Sequence, residues 1–322
     1  MLNFLRSKPP KTALPRLSVV MVAHRMVEQA ARTLHSLSPA YQRGVEAGDY
    51  EIILIENDSD QLLGEADAMK AADGASLRYL RAREHTKTPV HAMNEGVRRA
   101  RAPHVALLID GARMLSPGAL RSTLDALRLD PEAAVSAPSY HLGHELQQIT
   151  VNKGHDAATD RALLGSVGWP QDGYRLFDIA VLSGSCRAGF FRPHAESNFL
   201  AMSRAKWDRI GGMDLRYRDH GGGRANLDLY KRVLESPGTA LYLLYAEGSF
   251  HQFHGGITTN TPEAERRSIM AAIEAQDKSL RGSNMALPTN VPILLGAPHP
   301  GIHRFLQQSL TQGKPTMDSK PA

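Results

Sequence analysis

Three short apolar runs, each stopped abruptly by polar residues, constrain this chain more than any other feature. Leu17-Ser18-Val19-Val20-Met21-Val22-Ala23 meets His24-Arg25, and Tyr50-Glu51-Ile52-Ile53-Leu54-Ile55 meets Glu56-Asn57-Asp58-Ser59-Asp60. His104-Val105-Ala106-Leu107-Leu108-Ile109 meets Asp110-Gly111. Runs this short and this apolar read as strands buried on both faces, the usual state of parallel strands. Helical periodicity lies between them, through Ala30, Leu34 and Leu37 and again through Val90, Met93, Val97 and Ala100. Strands alternating with helices predict a mainly parallel sheet with right-handed crossovers. Ligands of such sheets bind beyond the carboxyl ends of the strands. An isolated Asp-Gly only makes a turn, but three polar strand ends in one α/β series are expected to share a cleft.

The remaining chain extends the pattern. Leu77 to Leu80 and Ala133 to Ala137 read as further strands, and Ser116-Pro117 as the N-cap and first residue of a helix to Leu129. Residues 138 to 193 carry His141, His144, His155, Trp169 and Tyr174 without metal-ligand spacing, and read as an insertion with part of its surface on the cleft. Regular structure returns at Glu196 to Met202, followed by a helix capped by Ser203 and stopped at Gly211-Gly212. Asp219 to Asn226 is a glycine-rich loop before a helix to Glu235. A strand at Leu241 to Tyr245 precedes Ser249-Phe250-His251-Gln252-Phe253-His254. Residues three apart on a strand face opposite sides, so His251 and His254 share a ligand only if the chain turns between them. Thr261-Pro262-Glu263 is expected to open a helix to about Leu280 and Gly301 to Leu310 to form a last short one, with a disordered tail at 311–322.

Composition narrows the class. With 322 residues, 42% hydrophobic and 22% charged, the chain is long enough for a sizeable core and is not disordered throughout. The balance of 38 basic and 33 acidic residues, +5, suits a phosphate-bearing ligand or an anionic membrane surface and is too weak to argue nucleic acid. Cys186 is the only cysteine, which excludes an intrachain disulfide and a cysteine-built metal site and fits a cytoplasmic setting. The first sixteen residues have the look of neither a signal peptide nor a membrane span. No Gly-x-Gly-x-x-Gly follows the first strand, which disfavours a dinucleotide-binding enzyme.

In order, these pieces resemble family 2 of the nucleotide-sugar-dependent glycosyltransferases, of the GT-A type. Leu17 to Arg25 resembles the family's first strand and nucleotide loop, and residues 51–60 its second strand and acidic turn. Met93-Asn94-Glu95-Gly96 resembles its Arg-Asn-x-Gly helix without the Arg. Ile109-Asp110-Gly111-Ala112 stands where the family has Asp-x-Asp, and Ile210-Gly211-Gly212-Met213-Asp214 where it has Gly-Gly-Phe-Asp. Ala225-Asn226-Leu227-Asp228 stands where it has Glu-Asp-x-Asp. Ala112 thus replaces a carboxylate that usually touches a metal. Of the acids from which the base is usually drawn, only Asp228 survives.

The resemblance implies an α/β fold, a GT-A (Rossmann-like) three-layer sandwich with a mainly parallel mixed sheet. The expected divisions are an extension at 1–16, a catalytic domain at 17–260 (nucleotide half 17–137, insertion and acceptor half 138–260), and a C-terminal helical segment at 261–310. It implies an inverting enzyme moving a sugar from a nucleoside diphosphate to the hydroxyl of a glycan, lipid-linked or other acceptor in surface or extracellular glycan synthesis. Such an enzyme would be cytoplasmic, with peripheral contact at the inner face of the membrane. The nucleotide would meet Ala23, His24, Arg25, Glu56, Asn57, Asp58, Asn94, Asp110, Gly111 and Arg113. Base candidates are Asp228, Glu196 and Asp219, and His254, Gly212 and Asp214 fall on the diphosphate or acceptor side. Asp110 with His251 could hold Mn²⁺ or Mg²⁺, but the loss at Ala112 favours weak or absent metal dependence, with Arg113 and a protonated histidine neutralising the leaving group instead. The competing expectation is a relative that binds the nucleotide sugar without turning it over.

Overall fold

The computed structural model describes residues 14–312 apart from 58, 83–87 and 284–285. Most of the expected N-terminal extension and tail, and Asp58 of the nucleotide set, therefore lie outside the described residues.

The chain opens β1 (Leu17–Ala23), α1 (Val27–Ser36), β2 (Tyr50–Glu56), α2 (Glu65–Ala72), β3 (Leu77–Arg81), α3 (Val90–Arg99) and β4 (His104–Leu108). β1 pairs in parallel with β2, from Leu17 opposite Tyr50 to Ala23 opposite Glu56, and with β4, from Leu17 opposite His104 to Met21 opposite Leu108. Both registers start level, so three strands finish at one rim. Side chains of β1 alternate between two cores: Leu17, Val19 and Met21 pack with Ala30 and Leu34 of α1, and Val20 and Val22 with Val90, Met93 and Val97 of α3. That alternation is the period of a strand buried on both faces, and it makes the nucleotide half three layers thick.

After β4 come β5 (Arg113–Leu115), α4 (Ala119–Leu129), β6 (Ala134–Ser136), β7 (Ser139–Leu142), α5 (Gln147–Thr150), α6 (Ala157–Gly165), β8 (Ala180–Leu182), β9 (Phe199–Ser203) and α7 (Arg204–Ile210). The chain ends with α8 (Ala225–Glu235), β10 (Leu241–Leu243), β11 (Ser249–His251), α9 (Glu263–Arg281), β12 (Ile293–Leu294) and α10 (His303–Gln312). The main sheet runs β12-β10-β6-β9-β4-β1-β2-β3, with β9 antiparallel to β4 and β6 and the other pairs parallel. A second sheet, β5-β11-β7-β8, draws on the insertion and closes over a third core built from Tyr140, Phe177, Phe250 and Phe305.

One helix start differs from expectation. α4 begins at Ala119, not at Pro117, because the Ser116 hydroxyl donates to Glu247 (2.5 Å) instead of capping. The Glu247 carboxylate also accepts the Gly118 N–H (3.1 Å), placing a negative charge at the helix N-terminus where the backbone dipole favours it.

Candidate functional site

The rim formed by β1, β2 and β4 opens into a cleft of about 550 Å³. At its β2 side lies Asn57, whose backbone N–H donates to Ala23 (2.8 Å), and whose carbonyl pairs with His24 Nδ1 (2.8 Å). Asn57 Nδ2 donates to the Thr88 carbonyl (3.1 Å), and its buried Oδ1 has no partner among the described residues. A carbonyl oxygen that buries without a donor is costly unless a ligand supplies one. Arg25, at φ 53°, also faces the cleft and forks onto Asp60 (2.6 and 2.8 Å).

Glu56 does not join them. Its carboxylate turns under the sheet edge and accepts N–H groups of Leu63 (2.8 Å) and Gly64 (3.1 Å) and the Tyr79 hydroxyl (2.5 Å). Strand alternation is the reason, since consecutive residues point to opposite faces. Ala23 is likewise buried rather than exposed to the cleft, and a Cβ on Gly111 would come within 2.9 Å of the Ala23 Cβ, so both residues set the closeness of two strand ends.

Asp110 forms the floor. Its Oδ1 accepts the Ala112 N–H (3.0 Å) and its Oδ2 the Arg113 Nε (3.0 Å), while Arg113 Nη1 reaches Ser139 Oγ (2.8 Å). Burial opposes ionisation of Asp110, but the Arg113 guanidinium and neighbouring His254 outweigh it and hold its carboxyl below the usual range. The chain does turn between the two histidines. β11 stops at His251, the Asn260 side chain accepts the N–H groups of His254 (3.3 Å) and Gly256 (3.0 Å), and the two Nε2 atoms come to 3.1 Å.

One ligand atom each from Asp110, His251 and His254 falls within 4.8 Å of the others. Burial, with Arg113 nearby, pushes His251 well below the ordinary histidine range; burial also lowers His254 despite Asp110. Two neutral imidazoles and an ionised carboxylate are the donors a first-row divalent cation prefers, and two nitrogens this close suit adjacent positions on one ion. The residues therefore fit a metal. His254, expected on the diphosphate side, belongs to this trio.

On the remaining wall, Glu196 Oε2 accepts from Asn226 Nδ2 (3.2 Å), and Asn198 stands beside them (3.4 Å). Asp228 is not there. Helix α8 turns it away from Asn226 onto Arg232 Nε (2.8 Å) and Arg281 Nε (2.6 Å), in a separate pocket shared with Lys231 and Glu235. Positions two apart on a helix are about 200° apart, so Asn226 and Asp228 cannot serve one cleft. Asp214 also pairs elsewhere, with Arg216 (2.6 Å) and Arg281 (2.7 Å). Asp219 Oδ1 accepts from Gln276 (2.8 Å) behind the glycine-rich loop. Asn94 braces the turn after α7, bonding both the N–H (3.0 Å) and the carbonyl (2.9 Å) of Met213, and the Gly212 carbonyl accepts from Arg232 (2.8 Å). These expected site residues build the scaffold of the cleft and do not line it.

Residues 18–196 match Glycosyl transferase family 2. The chain belongs to this family. No curated protein gives a significant match. Among solved structures, S. aureus TarS 1-349 is similar at 10% identity and a TM-score of 0.50, over 83% of this chain and 72% of that one. A longer S. aureus TarS structure gives 12% identity and 0.49, over 82% of this chain and 44% of that one. The mannosyltransferase PcManGT from Pyrobaculum calidifontis, in complex with GDP-Man and Mn²⁺, gives 13% identity and 0.48, over 96% and 73%. The likeness to TarS 1-349 is one of fold, the mainly parallel GT-A-like sheet with flanking helices. Members of family 2 use nucleotide sugars. Sequence reasoning missed Asn226, Asn198 and the turn 255–259 as cleft residues. Asn226 was in plain view as the altered acidic motif, but the turn carries no chemical signature.

Proposed function

We propose that the cleft binds a nucleoside diphosphate sugar and transfers the sugar, with inversion, to an acceptor hydroxyl, with Glu196 as general base. The observation that carries this reading is the pairing of Glu196 with Asn226. Asn226 occupies the position of a lost acid, and Glu196 brings a carboxylate to that same spot in the cleft. Glu196 accepts the acceptor's proton as its oxygen attacks the anomeric carbon. The bond from that carbon to the diphosphate oxygen breaks, and negative charge grows on the leaving phosphate. Arg113, anchored by Asp110 and Ser139, fixes positive charge at the floor where that phosphate would lie. A divalent cation held by Asp110, His251 and His254 would add charge neutralisation at the same place. Asn57 Oδ1 accepts a ring N–H of the base, chemistry offered by uracil, thymine and guanine alike.

A thermal-shift screen of UDP-, dTDP-, GDP- and CMP-sugars with and without Mn²⁺ tests the donor. At 100 times its dissociation constant the true donor stabilises by about 2.7 kcal/mol. The expected result is a shift with a nucleoside diphosphate sugar that Asn57→Leu abolishes. Absence of any shift would remove the assignment. A bound donor that is neither transferred to any acceptor nor hydrolysed would favour a non-catalytic binder, the reading that Ala225 and Asn226 allow.

A further inference from the structure

Gln147, the first residue of α5 in the insertion, is fully buried and bonds His251 through both ends of its side-chain amide. Its Nε2 lies 3.2 Å from the His251 carbonyl and its Oε1 lies 2.6 Å from His251 Nδ1. A carbonyl can only accept, so the amide nitrogen must face it, and the amide oxygen must then face the ring. An oxygen that can only accept requires a proton on His251 Nδ1. In the neutral ring Nε2 is then bare, and Nε2 is the atom turned to His254. The same Oε1 accepts from Asn260 Nδ2 (3.4 Å), the side chain that closes the turn carrying His254. Asp160, buried and bonded to His155 (2.7 Å), fixes the intervening Phe253 N–H (2.5 Å).

We propose that Gln147 is a positioning residue for a metal-bearing donor site: it locks His251 in the Nδ1–H tautomer and ties the His254 turn to β11, so that both imidazole Nε2 atoms converge beside Asp110. This rests on the reading of the cleft as a donor site for the role of the metal, but not for the tautomer. The insertion thereby acts on the histidine pair beside Asp110 through one amide. Outer partners of this kind typically change metal affinity 10- to 100-fold when removed.

Two measurements decide it. In the metal-free protein, long-range ¹⁵N–¹H correlation spectra of the imidazoles report which nitrogen of His251 is protonated. Nδ1–H is expected, and Nε2–H would overturn the proposal whatever the cleft binds. Calorimetric titration of Mn²⁺ in the presence of UDP, and separately of GDP, is then compared between the native protein and Gln147→Met, which conserves volume without the bonds. A 10- to 100-fold weaker Mn²⁺ affinity is expected with nucleotide affinity in metal-free buffer unchanged. Equal Mn²⁺ affinities would overturn the proposal. If neither nucleotide binds the native protein, the donor reading fails, and the tautomer spectrum still decides the part assigned to Gln147. Should Gln147→Met not fold, Gln147→Glu keeps the acceptor on His251 Nδ1 while it replaces the donor to the His251 carbonyl by an oxygen and adds a negative charge. It is expected to retain Nδ1–H, because the carboxylate still accepts there, and loss of Nδ1–H in this variant would overturn the proposal.

Discussion

A carboxylate's chemistry follows from what already holds its oxygens. Glu196 accepts one hydrogen bond from a neutral amide, whereas both oxygens of Asp228 accept from guanidinium groups. Glu196→Gln is therefore expected to lower turnover by about 10²- to 10⁴-fold while donor affinity holds, since only the proton acceptor is lost. Steady-state rates beside calorimetric donor binding check this, and full activity in the variant would end the assignment. Asp228→Asn should instead cost stability, about 1.5–3 kcal/mol for bonds to charged partners, with turnover per folded molecule retained. Urea unfolding measures the first part and rates at matched folded fraction the second. The sequence held the information that separates these two residues. Asn226 and Asp228 are two apart in a helical stretch, and the survival of an acid in a motif says nothing about the face it occupies. Glu56 carried the same lesson for a strand, where Asn57 takes the cleft and Glu56 the opposite side.

Among elements, α9 does work that its sequence does not advertise. Arg281 in its last turn joins Asp214 after α7 to Asp228 on α8, Gln276 holds Asp219, and Arg224 reaches Glu274 (2.8 Å). Hydrogen bonds from Arg216 hold the Asp214 carboxyl well below its ordinary range against the push of burial, and Arg281 adds to them. A depressed carboxylate contributes stability that is fully present above its unfolded pKa of about 3.9 and is lost as the pH falls through the folded value. The stability gap between the native protein and Asp214→Asn should thus be constant from pH 7 to 5. Below about pH 4 it should shrink by about 1.4 kcal/mol per pH unit. Denaturant melts at pH 7, 5 and 3.5 test this, and a gap that widens on acidification would refute it. The helix itself was legible from its opening at Thr261-Pro262-Glu263. Its polar contacts were not, because they join positions fifty or more residues apart and no local period encodes such contacts.

At the level of the whole molecule, the half that was legible is the half whose strands are buried on both faces. β1, β2 and β4 announce themselves as apolar runs because α1 and α3 cover both sides. The second sheet was not legible: β5 and β11 have three residues each, and their partners β7 and β8 lie in an insertion with no clear period. The C-terminal segment also counts for more than its position suggests. β12 extends the main sheet beside β10, and Ile302 and Phe305 enter the aromatic core with Tyr140, Phe177 and Phe250. The Phe305 ring lies 4.8 Å from Tyr140, and Phe250, stacked on Tyr140, leads directly to His251. Phe305→Ala should then cost about 3–5 kcal/mol, the usual range for an aromatic removed from a core. Ending the chain at residue 260 should cost more, because it removes that packing and leaves Asp214, Asp228 and the Tyr217 hydroxyl without the α9 partners they now bond. The expected product binds a hydrophobic dye, unfolds without a sharp transition and holds no nucleotide. A truncated chain that melts cooperatively and binds donor like the native protein would show instead that residues 17–260 stand alone, with the C-terminal segment an appendage to a complete site.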